Sequence, residues 1–428
     1  MSVGPNILMI LLPLLLIAAF LFQRKRNVTV LRLAIFGEDP QKVIFNRLIL
    51  DFAEVTPGIR VEMTCHAWAN YTREVIKDIR SGRGPDVMVM EEAHYPELLF
   101  DGLLEPLNQY FINSQMDINQ FYPQVVDRFF LDGTLYAVPQ DTAPICLVYY
   151  NKNAFDESGI PYPSDDWNWD QFVETAKKLK RVDVDGQVTR WGFVEGYSSP
   201  GSWVHGSGGT YVDDIKHPTR WTIATDPNSL RGLRFRWDLI HRHGILPPPQ
   251  WIRPLGGDHE LAWMFAQGKT AMFLFGLWKV SQFREIRDFN WDVAMIPRDP
   301  SGRLDFELGG TAYGIHKGSV HKKAAWDFVK FISDPECVRK MAMDGLTLPA
   351  NMGIANSDAF LDDKDPRNKR VVLTAMKRGK YAPLCRNWFD IQTRITLELM
   401  PAWEGKETLE AALDRLRPIL EANPPVTQ

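Results

Sequence analysis

Cysteine is scarce in this chain, and what there is does not cluster. Cys65, Cys146, Cys337 and Cys385 form neither a CxxC pair nor a zinc-ligand spacing, so they give no metal site to read. Cys146 falls in an apolar run and reads as a buried thiol, whereas Cys337 with Cys385 is a pairing left open to an oxidising compartment. Basic charge is not in excess either. Lys and Arg number 49 against 53 Asp and Glu, a net charge of −4, which excludes the basic face that nucleic acid requires. Neither GxSxG nor HExxH occurs, so no nucleophile elbow or zinc-protease helix can be named. Gly268-Lys269-Thr270 resembles the end of a phosphate loop, but Trp263 stands where its first glycine belongs, and that motif is set aside. His241 and His243, two residues apart on one helix, point to different faces and make no metal site. There is no internal repeat, and nothing in the chain asks for a cofactor.

What is present is length and aromatic surface. A chain of 428 residues exceeds what one hydrophobic core usually supports, so two domains are expected. It carries 14 Trp, 12 Tyr and 24 Phe; most will pack in cores, and some offer flat faces for rings of a ligand. Near the N-terminus, positions 7–22 form an apolar run of 16 residues broken by Pro13 and followed by Arg24-Lys25-Arg26. The run is short for a membrane span and fits a signal region or a short anchor. It has no charged segment before it and no clear cleavage site, while the basic flank opposes export of the body of the chain.

From Val28 the pattern alternates. Val28 to Phe36 reads as a strand, and Val43 to Glu54 places Ile44, Leu48 and Phe52 on one helical face. Ile59 to Thr64 is a second strand and Asp86 to Met90 a third, with a helix through Tyr71, Val75, Ile76 and Ile79 between them. Such alternation predicts parallel strands with helices on their faces. Ligands of such sheets sit at the carboxyl ends of the strands, a rule that nominates Glu38 and Asp39 after the first strand and Glu91 and Glu92 after the third. Both pairs have a structural alternative, since acids near a helix start also cap it or favour its positive end.

The stretch from Gly133 to Phe155, GTLYAVPQDTAPICLVYYNKNAF, carries a strand out of one unit and into another with Asp141 between. Its YAxPxD and LxYYNKxxF segments resemble the extracellular solute-binding proteins of ATP-binding-cassette importers, in the group that includes maltodextrin-binding proteins. Further segments come in the same order: DWNWDQF from Asp166, the GKTAM core with Gly276-Leu277-Trp278 after it, Gly309-Gly310-Thr311-Ala312-Tyr313-Gly314-Ile315 as a return crossing, and Leu348-Pro349-Ala350-Asn351. The resemblance covers about residues 28 to 420 and implies a two-lobed α/β fold of the type II periplasmic-binding-protein kind, each lobe a mostly parallel sheet flanked by helices. It implies an N-terminal signal or anchor at 1–27, one lobe from 28–143 plus 307–372, and a second from 144–306 plus 373–428.

The same resemblance implies a non-enzymatic monomer, periplasmic or otherwise extracytoplasmic, that closes on a carbohydrate and delivers it to transmembrane permease subunits. An uncleaved anchor with an exported body reconciles this with the basic flank. Position by position it places at the cleft Glu38, Asp39, Glu91, Glu92 and Asp141, then Trp203, Trp278 and Trp388, with Gly310 and Tyr313 in the return crossing. Asp141 could instead accept backbone N–H groups, and Trp388 could be core. A polyamine, phosphate ester or iron chelate as cargo, and a glycoside-processing enzyme, are the alternatives left standing.

Overall fold

The computed structural model describes residues 28–37, 39–196, 200–252, 258–343, 347–362 and 364–427. The leader and Glu38 lie outside these.

The first unit begins with β1 (Thr29–Phe36), the helix α1 (Asp39–Val55), β2 (Ile59–His66), the helix α2 (Tyr71–Arg80) and β3 (Val87–Glu91). These are the elements the periodicity predicts, and the apolar face of α1 through Ile44, Leu48 and Phe52 is buried as expected. The chain then reaches β4 (Val138–Pro139), the crossing strand β5 (Asp141–Ile145) and β6 (Leu147–Asn151). In the second unit the helix α3 (Trp169–Leu179) starts on a capping box, Asn168 and Gln171 satisfying each other's backbone N–H. Next come β7 (Val194–Glu195), the short helix α4 (Gly201–Gly206), β8 (Met272–Phe275) and β9 (Trp291–Met295). The chain returns through β10 (Phe306–Gly309) into β11 (Thr311–Ile315), then passes β12 (Leu348–Pro349), β13 (Gly379–Lys380) and the helix α5 (Trp388–Trp403).

Three larger sheets carry the lobes and the crossing among the described residues. One has the order β2-β1-β3-β11-β4, one the order β7-β8-β6-β9, and between them β12-β5-β10-β13 forms the crossing. Two lobes form, as the fold class implies, but their sheets are mixed. β1 pairs parallel with β2 and β3, yet β11 runs against β3 and β4; β6 likewise runs against both β8 and β9. The reason is connectivity: a strand that enters from the other lobe arrives in the opposite sense to strands wound by local strand-helix-strand units. All four cysteines are free thiols, so the Cys337 and Cys385 pairing is not formed.

Candidate functional site: the crossing floor between the lobes

The site starts from the pairing of β5 with β10. They run antiparallel, with Glu307 opposite Ile145 and Gly309 opposite Ala143. Opposed residues share a face and alternate residues return to it, so Asp141, Ala143, Ile145, Glu307 and Gly309 lie on one side. The Thr311 N–H donates to Asp141 Oδ1 at 2.8 Å, and Thr311 stands opposite Glu91 at the end of β3. Glu91 therefore arrives on the same floor; a Cβ on Gly309 would lie 3.6 Å from its Oε1. Glu92 is tied in by its own N–H, which donates to the Gly310 carbonyl at 3.0 Å. Its Oε2 accepts the Ala382 N–H at 3.4 Å, and its carbonyl accepts from Arg128 Nη2 at 3.2 Å.

Four carboxyl groups thus gather at the crossing with Arg128: Asp141, Glu92, Glu307 and Arg128 are buried, Glu91 is half-buried, and Lys380 stands opposite Glu307 in register. Burial pushes Glu91 up to about 7, against the lowering effect of a 3.0 Å hydrogen bond donated by Trp68 Nε1. Glu307 is likewise pushed up to about 7 by burial, and further by the charge of Glu91. Asp141 rises to about 6 by burial, opposed by the Thr311 N–H. Glu92 stands well above the ordinary carboxyl range, again from burial, with Arg128 pulling the other way.

Rings from both lobes border this floor. Trp68 follows β2 and meets Phe389, at the start of α5, with ring centroids 5.4 Å apart. His94 stacks on Phe389 at 6.0 Å and makes a 3.1 Å hydrogen bond from Nε2 to the Trp68 carbonyl; burial lowers it to about 4, so it is neutral at pH 7. Trp278 follows β8 and is half-buried, its ring folded back over Gly276, where a Cβ would fall 1.7 Å from a ring carbon.

Several nominated residues sit elsewhere. Trp203 is 1% exposed, inside the second lobe among Trp169, Phe172, Phe193 and Phe235. Its Nε1 donates to Glu195 at 2.7 Å, and Glu195 is paired with the buried Arg236 at 2.6 Å. Trp203 sits on the helix α4, entered from Pro200, and that helix turns the ring inward. Trp388 is also 1% exposed, edge-on to Tyr211 and stacked on Trp221; Phe389, the next residue, is the one on the cleft side. Tyr313 is fully buried within β11. Gly310 acts through its backbone, for a Cβ there would come within 2.7 Å of the Asp141 carbonyl oxygen. Asp39 is in the first turn of α1, its side chain 91% exposed and bonded to Lys42 at 3.0 Å, the helix-start role.

Glu307, Arg128, Trp68, His94 and Phe389 were not foreseen. Trp68 was within reach of the rule for strand ends, had it been applied to the second strand as to the first and third. Glu307 carried one signal, an acid between the apolar Phe306 and Leu308 just before Gly309-Gly310.

Residues 47–367 match the family described as bacterial extracellular solute-binding protein. The chain belongs to this family. Among solved structures this solute-binding protein is similar to an ABC substrate-binding protein of Listeria monocytogenes in complex with cycloalternan. The two share a TM-score of 0.82 at 23% identity, over 92% of this chain and 99% of that one. By sequence it is 21% identical over 366 residues to the galactooligosaccharide-binding protein of Bacillus subtilis, covering 83% of this chain and 81% of the relative. It is 23% identical over 377 residues to the sn-glycerol-3-phosphate-binding periplasmic protein UgpB of Yersinia enterocolitica, covering 81% of each. Among the described residues no helix is long and apolar enough to cross a membrane.

Proposed function

We propose that this protein captures a saccharide between its lobes outside the cytoplasm, without altering it, and delivers it to the permease of an ATP-binding-cassette importer. The observation that carries the reading is the floor itself: hydrogen-bond acceptors on the crossing strands, bordered by Trp68 from one lobe and Phe389 and Trp278 from the other. Hydroxyls need acceptors and pyranose faces need flat apolar partners, and a site for them combines both. In this reading 28–143 plus 307–372 moves against 144–306 plus 373–428 about the crossing strands. Cargo touching both halves favours the closed form. Asp141 and Trp278 remain assigned to the cleft wall or its rim, and the body acts as a monomer held by its leader.

Titration calorimetry of the purified body against a sugar library, with small-angle scattering on each hit, tests this. Saturable heat with unchanged sugar and a smaller radius of gyration is expected. Turnover of the sugar, or binding with an identical scattering profile, would reject the reading.

A further inference from the structure

Resting on the closure reading, we propose that Arg386 and Lys216 clasp the second lobe to the first, so that ionic strength sets the closed population and with it the affinity for even an uncharged cargo. Both cations stand on one braced piece of the second lobe. The Leu384 N–H donates to the Ile215 carbonyl at 2.7 Å, joining the segment that carries Arg386 to the loop that carries Lys216. On the segment, the Arg386 N–H donates to the Val426 carbonyl and Asn387 bonds to both Pro424 and Val426, while Trp388 is core. In the loop two carboxylates are spent on backbone. Asp213 Oδ1 accepts the N–H groups of Asp214, Thr219 and Arg220, and Asp214 Oδ1 those of Lys216 and His217. The backbone under each cation is therefore ordered within its own lobe, which lowers the cost of holding it in place across the gap.

The first lobe supplies the partners. Lys216 meets Asp127 in the helix Pro123–Arg128, and Arg386 Nε donates to Asp101, just after the helix Tyr95–Phe100. Arg386 has a further task. Glu97 of the first lobe and Asp390 of the second stand close enough to repel each other, and Arg386 attracts both. Arg80 also offsets Glu97, from within the first lobe. Removing the Arg386 charge would thus leave acids of the two lobes facing one another, a like-charge contact that favours separation. Phe389, on the same braced segment, touches Trp68 and His94 of the first lobe, so the clasp also sets how closely the bordering rings approach. Both ion pairs are partly exposed, and exposed charges are screened by salt where buried ones are not. Cargo affinity follows the closure equilibrium.

Small-angle scattering of the empty protein between about 0.01 M and about 1 M salt is the test, a range over which the Debye length falls from about 30 Å to about 3 Å. The radius of gyration of the wild type should rise with salt. With the curves fitted as a mixture of open and closed forms, Arg386→Gln should raise the open-to-closed ratio at low salt by about twofold to fivefold, the range of partly exposed pairs. Asp127→Lys should also be expanded at low salt, and adding Lys216→Asp, which restores the attraction with its signs exchanged, should recover the compact form. Circular dichroism checks that each variant folds; for any that does not, the salt response of the wild type decides. A wild type whose radius is unchanged by salt, or folded Arg386→Gln and Asp127→Lys variants as compact as the wild type, overturns the clasp. No cargo enters these measurements, so a failed clasp leaves the saccharide reading intact, and a sugar library without a hit leaves the clasp intact.

Discussion

At the scale of single residues, what decides a role is where a side chain's apolar and polar parts can be satisfied. Trp203 and Trp278 have the same side chain. The first gives its N–H to a buried carboxylate already paired with Arg236, while the second stays half-buried in the turn after a strand, against Phe275 and Gly276. Binding should therefore be sensitive to the rings at the border of the floor. Trp68→Ala and Trp278→Ala should each weaken cargo affinity by about 1 kcal/mol or more, the scale of ring packing, with circular dichroism unchanged. Calorimetry with the identified sugar checks this, and an unchanged dissociation constant for either variant would take that ring out of the site.

At the scale of elements, α4 and the crossing strands show how local chemistry is overruled by packing. Glycine and serine around Trp203 favour a loop by propensity, but six residues after Pro200 wind into a helix buried along its length because the ring has a cavity of aromatic partners to fill. Removing it should leave a large void: Trp203→Ala is expected to cost about 3 to 5 kcal/mol of stability, read by chemical denaturation. A loss near zero would mean that the ring is not core. The crossing depends on glycine for a different reason. At Gly310 the backbones of β5 and the return segment approach so closely that any side chain would strike the Asp141 carbonyl.

At the scale of the whole molecule, the lobes touch through ion pairs as well as rings. Arg386 Nε donates to Asp101 at 2.6 Å and Lys216 to Asp127 at 2.5 Å, each pair partly exposed and worth little alone. The buried acids weigh more. A carboxyl whose affinity for protons is raised by folding contributes stability that is full below its unfolded value and is lost as pH rises through its folded value. For Glu307 that window runs from 4.5 to about 7. Glu307→Gln cannot ionise, so between pH 5 and pH 8 the wild type should lose stability relative to the variant by on the order of 1 to 3 kcal/mol. Denaturation curves of the two empty proteins across that range provide the measurement, and parallel profiles would contradict the assigned burial.

The alternation of strands and helices from Val28 to Met90, the crossing at Asp141 and the return at Gly309 were legible in the sequence, because each rests on local periodicity and on glycine and proline at turns. The position of Asp141 and Glu91 at strand ends beside the crossing was legible too, since it follows from strand order whatever the packing. Tertiary structure alone decided the rest. Facing direction within β11, the inward turn of Trp203 and Trp388, and the meeting of Glu307 with Glu91 across more than 200 positions all depend on register between strands brought together from both lobes. A sequence records which residue comes after which; it does not record which carboxylate will be left without a partner once the strands have crossed.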